Sequence, residues 1–554
     1  MRYLGMRQIA RAAAVFIAFS LSSCHPSEPE KDDNRTIFNY NEMNGVTSLD
    51  PATANSLENM WPVNLLFNGL VQMDDSLNVI PCIARTYSIS ADGKEYVFRL
   101  RNNVYFHDNE CFENKTGRAV TSKDFLYSYT RLFDSKVSSA TTLLDKVDRS
   151  AKTSYKGFDA PDDSTFKITL REPFSAFINI LTMKFFSVIP YEAIDMYGQD
   201  FRRNPVGTGP FKFSVWDEGN KLILHKNQKY FESDESGARL PYLDAVTVSF
   251  IRDRETAFME LLNGRFDMLS GADAFNTNEV LDKEGNLRSA YLKKFYLQKQ
   301  TFLKTDYIGI LVDEKNPIVN QSPLKLKAIR QALNYGFDRE KLVKYLRNNL
   351  GTAAHAGFIP KGMKSFAGKN FNGYFYAPDK VRELLKEAGY ENGKGLPEIT
   401  LHITDNYKEQ VEFIQSQLAD NNIRVKISIE KTPVLRQAVN NGEYLLFKKS
   451  WVADYADEQN FMSLFYSRNF SPQGSNYFHY SNPHFDRLYE KAQTENNVAE
   501  KTKLYRQMDS TVTADAPFIT LYYDQVVRLV SRNVEAFSSN PLNMLNLKRT
   551  KKKG

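Results

Sequence analysis

The 554-residue chain is poor in cysteine, tryptophan and histidine, with three, three and seven residues respectively. Three cysteines are too few for a disulfide-stapled scaffold or a cysteine-rich zinc module. The histidines are scattered; His479 and His484 flank Asn482-Pro483 instead of sharing a helix face, so no metal site is expected. The sequence holds no G-x-S-x-G, no H-E-x-x-H and no glycine-rich nucleotide motif. No cofactor is therefore expected, and an enzyme, such as an envelope hydrolase, is the least supported reading. Charge of one sign is also scarce. A formal net charge of +6 argues against nucleic acid as a partner, and the basic tail Lys548 to Lys553 reads as a solvated terminus. No apolar run approaches the roughly 20 residues of a membrane-spanning helix.

The N-terminus does carry a short apolar run. Arg2, Arg7 and Arg11 precede the ten residues Ala12 to Leu21, the pattern of an export signal. Leu21-Ser22-Ser23-Cys24 resembles a bacterial lipobox, which implies cleavage over 1–23 and a lipid on Cys24; an ordinary signal peptide with an incidental cysteine is the alternative. Residues 24–35, acidic with Pro26 and Pro29, read as a flexible tether. Cys82 and Cys111 read either as a disulfide or as two separate small hydrophobes. Aromatic residues are plentiful, with 39 Phe and 30 Tyr, enough for a large core and for a binding cleft. The length implies two or three domains.

One segment predicts a topology. Ile399, Leu401 and Ile403 alternate as a strand, and Val411, Ile414 and Leu418 fit one face of a helix. Ile423 to Ile429 alternates again, Pro433 to Asn441 fits a second helix, and Tyr444 to Phe447 a third element, a strand. This β-α-β-α-β pattern implies parallel strands. Trp451, Asp454 and Tyr455 then lie just past the third strand, and ligands of open α/β sheets bind beyond the carboxyl ends of strands. Asp454 is a single carboxylate between two aromatics, an arrangement that is costly to bury without a cation. It reads as an anchor for a ligand ammonium, against the alternatives of an internal salt bridge or a turn cap.

Several motifs point the same way. They include Ser48-Leu49-Asp50-Pro51, Leu65-Leu66-Phe67-Asn68-Gly69-Leu70, Val206-Gly207-Thr208-Gly209-Pro210-Phe211, Arg330-Gln331-Ala332-Leu333, Trp451-Val452-Ala453-Asp454-Tyr455 and Asp515-Ala516-Pro517-Phe518-Ile519. Together they resemble the extracellular solute-binding proteins of family 5, the oligopeptide, dipeptide and nickel receptors of ABC importers. The resemblance implies an α/β, bilobal periplasmic-binding-protein fold of type II in its large three-domain form, with a discontinuous first lobe. The expected divisions are 36–79, 205–298 and 520–554 for lobe I, 80–204 for its additional domain and 299–519 for lobe II. It also implies a monomeric, lipid-anchored receptor on the periplasmic or extracellular face of a bacterial membrane, with an ABC permease and ATPase complex as partners. The expected ligand is a peptide, held by Asp454 with Trp451 and Tyr455 beside it. Lys448 stands where peptide receptors can carry an arginine for the ligand carboxylate, and a solvated lysine is the alternative. A nickel chelate, haem, sugar or opine-like solute, or a sensor or adhesin without a permease, are the competing readings.

Overall fold

The computed structural model describes residues 35–138 and 140–553. The expected leader, Cys24 and nearly all of the expected tether lie outside the described residues. An eleven-stranded sheet forms the frame. Ten of its strands are β1 (Ile37–Asn41), β2 (Phe211–Asp217), β3 (Lys221–Lys226), β4 (Ala245–Ser249), β5 (Met268–Ser270), β6 (Phe295–Ile310), β7 (Ile399–Ile403), β8 (Val425–Ile429), β9 (Leu446–Val452) and β10 (Phe518–Ser531). Their spatial order is β8-β7-β9-β6-β10-β5-β1-β4-β3-β2, and Thr352–Ala353 pairs with β10 as the eleventh.

Two long strands carry the frame from one end to the other. β6 and β10 pair antiparallel, from Phe295 opposite Ser531 to Gly309 opposite Phe518. The register shifts between Thr301 and Thr305 and again between Asp306 and Tyr307, so the ladder is irregular midway. Beyond that break β6 pairs with β9, while the far end of β10 pairs with β5. Apolar residues gather on both sides of it. One cluster joins β1, β2 and β4 to residues 46–189, and others fill the space around β7–β9 and the helices that cover them.

The β-α-β-α-β segment forms as its periodicity predicts. β7 pairs parallel with β8 and with β9, and the helices α1 (Lys408–Asp420) and α2 (Thr432–Asn440) lie between them in sequence. α1 buries Val411, Ile414 and Leu418, the face expected from the sequence. The third strand is longer than its apolar core suggests. It runs through Trp451 to Val452, so Trp451 sits in the strand and Asp454 two residues beyond it.

A separate four-stranded antiparallel sheet, in the order Ala84–Ile89, Glu95–Leu100, Thr165–Thr169, Phe158–Asp162, lies in the first part of the chain. Its first hairpin turns at Gly93, whose φ of +70° suits glycine. Thr121 and Asp124 form a capping box at the start of the helix Ser122–Arg131. Val104 to Asp108 makes only an isolated bridge between Tyr105 and Ala119.

The Val206–Phe211 turn is a packing device. A Cβ on Gly207 would fall 2.1 Å from the Leu66 carbonyl oxygen, and one on Gly209 would fall 2.4 Å from that of Leu65. These glycines let the chain cross the end of the helix Leu57–Leu66 at backbone contact distance.

Candidate functional site

Asp454 opens onto a cavity of about 230 Å³. One wall is the Val452–Asp454 segment at the end of β9. The others are the helix Leu57–Leu66, the segments around Asn68 to Met73 and Thr182 to Lys184, and the C-terminal stretch from Asn540 to Lys548. The site thus joins the carboxyl end of a parallel strand to segments far away in sequence.

The Asp454 side chain is exposed to solvent at the cavity, with protein crowded around it on the cleft side. Lost hydration raises its pKa above the ordinary carboxylate value, and a hydrogen bond from Asn460 Nδ2 at 3.3 Å partly offsets this. Among the described residues no basic side chain forms an ion pair with Asp454, and none contributes to its protonation. A carboxylate in such a place is complementary to a cation that the chain itself does not supply.

Asn460 is buried, and its side chain bonds in two directions. Its Oδ1 accepts from Trp451 Nε1 at 2.9 Å, while its Nδ2 donates to Asp454. The indole therefore orients the amide, and the amide orients the carboxylate. Trp451 holds the anchor and packs on the apolar cluster around Phe358 and Phe478. No sequence motif marks Asn460. Its signal was an amide on the helical turn following the carboxylate.

Tyr455 does not line the cavity. It is buried in the first apolar cluster, and its hydroxyl donates to Gln459 Oε1, whose amide donates to Tyr489 at 2.6 Å. Asp457 is committed within the chain. It pairs with Lys501 at 2.7 Å and accepts from the Tyr505 hydroxyl at 3.1 Å.

Lys448 is neither a cleft residue nor a solvated one. Its ammonium lies 2.6 Å from Asp306, both side chains are 0% exposed, and the ammonium sits 3.9 Å from the centre of the Tyr407 ring. Both faces of β9 are packed, with Leu446 buried on one and Phe447 on the other, and alternation puts Lys448 on the Leu446 face, where Asp306 meets it. The pair belongs to a chain of charges across three strands. Asp306 on β6 also meets Lys304 at 3.1 Å; Lys304 meets Asp524 on β10 at 2.8 Å; Asp524 meets Arg347 at 2.6 Å. Burial alone would raise the Asp306 pKa, but the two ammonium groups overcome it and hold the carboxyl below its usual range.

Cys82 and Cys111 are free thiols, so the disulfide alternative does not hold. Cys82 is buried against the cavity, where desolvation pushes its pKa up to about 12, and it behaves as a small hydrophobe. Among the described residues no group of three or more His, Cys, Asp or Glu is placed to hold a metal ion, and no helix is long and apolar enough to cross a membrane.

Comparison with known proteins matches this geometry. The profile described as bacterial extracellular solute-binding proteins, family 5, middle region, matches residues 78–473. The glutathione-binding protein GsiB of Shigella flexneri serotype 5b is 28% identical over 502 residues, covering 89% of this chain and 90% of that protein. GsiB of Pectobacterium atrosepticum is 29% identical over 506 residues, with the same coverage. Among solved structures, the periplasmic binding protein DppA of Helicobacter pylori in complex with the peptide STSA superposes with a TM-score of 0.74 at 25% identity, covering 94% of this chain and 99% of that one. HbpA2 of Haemophilus parasuis superposes with a TM-score of 0.79 at 22% identity over 94% of this chain and 100% of that one, a likeness of fold. Family members are periplasmic or extracellular binding proteins that work with ABC transporters. The chain belongs to the bacterial extracellular solute-binding proteins of family 5, and is a solute receptor with the type II periplasmic-binding-protein fold, not an enzyme.

Proposed function

We propose that this receptor captures peptides through their free α-amino group and delivers them to an ABC permease. The observation that carries the reading is the Asp454 carboxylate, facing the cavity with no cation of the chain's own and held by the Trp451–Asn460 relay. A protonated amine supplies the missing charge, and Asp454 accepts its hydrogen bonds. The glutathione-binding and peptide-bound relatives support this ligand class.

The two long strands support lobe closure. We assign lobe I to 36–79, 205–298 and 520–554, its additional domain to 80–204 and lobe II to 299–519, with closure about β6 and β10 near their register shifts. The receptor acts as a monomer at the outer face of the membrane, tethered by lipid on Cys24; loss of lipid labelling in Cys24→Ser tests the anchor.

Calorimetry with short peptides tests the ligand class. Binding that disappears on N-acetylation of the peptide, and in Asp454→Asn, is the expected result. Equal affinity for free and acetylated peptides, or an unaffected Asp454→Asn protein, refutes the amine anchor.

A further inference from the structure

The C-terminal wall of the Asp454 cavity is built from irregular chain. Residues 536–550 form no helix or strand, yet Asn540, Leu542, Met544 and Asn546 line the cavity. Asn543 stands among them and does not line it. Its backbone is left-handed, with a φ of +58°, a conformation that asparagine tolerates better than most residues but that still needs support. Side chains supply that support. Asn540 Oδ1 accepts from the Leu542 and Met544 amides at 3.1 and 3.2 Å. Asn64 Nδ2 donates to the Leu545 carbonyl at 2.8 Å, and Trp61 Nε1 donates to the Asn543 carbonyl at 2.7 Å.

Behind this wall lies Arg528 on β10, fully buried. Its Nη2 donates to Asn543 Oδ1 at 2.8 Å, and its guanidinium sits 5.4 Å from the centre of the Trp61 ring and 5.5 Å from that of Phe537. Among the described residues no carboxylate bears on it, and its Nε and Nη1 have no hydrogen-bond partner. Desolvation lowers its pKa to about 10, so the fold bears a cost for the charge, and a hydrocarbon side chain of similar volume would be cheaper there. The hydrogen bond it does make goes to the turn of the cavity wall. That wall is also tied to the anchor. Leu303, in the irregular stretch of β6, donates its amide to the Pro541 carbonyl at 2.9 Å, and its carbonyl accepts from the Ala453 amide at 2.8 Å. A shift of the turn therefore reaches the residue next to Asp454 through a single intermediary.

We propose that Arg528 is a positioning residue for solute binding: through Asn543 it fixes the turn that presents Leu542 and Met544 to the cavity, without touching the solute itself. The proposal rests on the Asp454 cavity as the binding site and is independent of the solute being a peptide. A guanidinium that served only the core would support stability everywhere and leave the wall no looser than its surroundings. A positioning residue gives a different signature. Its loss loosens 540–546 in particular, and its effect is not separate from that of Asn543, because the two act through one bond.

The test is a double-mutant cycle of Arg528→Met and Asn543→Gly, with Asn543→Asp as the rescue. Asn543→Gly keeps the left-handed backbone and the carbonyl held by Trp61, and removes only the acceptor of Arg528. Asn543→Asp restores an acceptor and gives the guanidinium a carboxylate. The first readout is amide hydrogen exchange in the ligand-free proteins. Each single variant should speed exchange across 540–546 by about 10- to 100-fold, the range of a hydrogen bond to a charged group, while β10 keeps its protection. The double variant should be no faster than either single one. Asn543→Asp should exchange as wild type does and melt at a higher temperature. The second readout is calorimetric affinity for a pool of tripeptides with free termini. Arg528→Met, Asn543→Gly and the double variant should each lose about tenfold, and Asn543→Asp should retain wild-type affinity. Unchanged exchange across 540–546, a uniform rise in exchange over the whole chain, additive effects in the double variant, or a loosened wall with unchanged affinity each overturns the proposal. Should Arg528→Met fail to fold, Asn543→Gly against Asn543→Asp carries the same comparison. A wild type that binds none of the tripeptides refutes the peptide reading alone, and the exchange pattern then decides the role of Arg528.

Discussion

Lys448→Met is expected to damage the fold and spare the binding site. The substitution removes an ammonium that is fully buried 2.6 Å from Asp306 and leaves that carboxylate in the sheet interior. Breaking a buried pair from one side costs about 3–5 kcal/mol, since the remaining charge is still desolvated. Here Lys304 remains 3.1 Å from Asp306 and goes on compensating it, which places the expected loss at the low end, about 3 kcal/mol. Asp306→Asn should cost more, because it leaves Lys448 buried without a carboxylate partner, while Lys304 and Arg347 share the single carboxylate of Asp524. The double variant Asp306→Asn/Lys448→Met removes both buried charges and should recover part of the loss, a coupling of about 1–3 kcal/mol. Denaturant midpoints of the three variants, with calorimetric affinity for short peptides, give the full comparison. The pH dependence has a defined sign. The Asp306 pKa is depressed in the folded state, so its contribution is complete above the ordinary carboxylate value and is lost as pH falls below it. A Lys448→Met protein of unchanged stability and weakened ligand binding would place Lys448 in the binding site instead of the sheet interior.

Other outcomes follow from the same geometry. Asp454→Asn should weaken peptide binding by about 2–5 kcal/mol, roughly 30- to several-thousand-fold, with little change in melting temperature; calorimetry and thermal shift measure both. Asn460→Ala should cost about tenfold in affinity, since it removes both bonds of the relay but leaves the carboxylate in place. Affinity for a free amine should fall as pH drops through the raised Asp454 pKa, because the ligand ammonium needs the ionised acid; calorimetry across a pH series checks the direction. Asp509 offers a stability test away from the site. It is buried, accepts from the Phe358 amide at 2.7 Å, and desolvation raises its pKa to about 7. The folded state therefore holds a proton that the unfolded state releases between the ordinary carboxylate value and about 7, and stability falls as pH rises through that window. Asp509→Asn keeps an acceptor for Phe358 and should flatten this dependence, read as melting temperature against pH.

Local pattern decided the elements near the site. The alternation of Ile399 to Ile403 and of Ile423 to Ile429, with the helical spacing of Val411, Ile414 and Leu418, specified parallel strands with helices between them. Period and topology then placed Asp454 beyond a strand end, where a cavity opens. These are properties of consecutive residues, and a linear reading reaches them.

Roles set by distant partners were not legible. Alternation along β9 puts Lys448 and Lys449 on opposite faces, but only the assembled sheet brings Asp306 against Lys448. Trp451 and Asn460 could be seen as neighbours of the anchor, while their hydrogen-bonded relay depends on how the turn after β9 folds back. Arg528 carried no motif at all; its importance comes from meeting Asn543 behind the wall of the Asp454 cavity. The sequence by itself determined that this is an α/β receptor with an acid at a strand mouth. Tertiary structure alone decided which charges neutralise each other and which stay open to a ligand, because that depends on contacts between segments that the chain brings together only by folding.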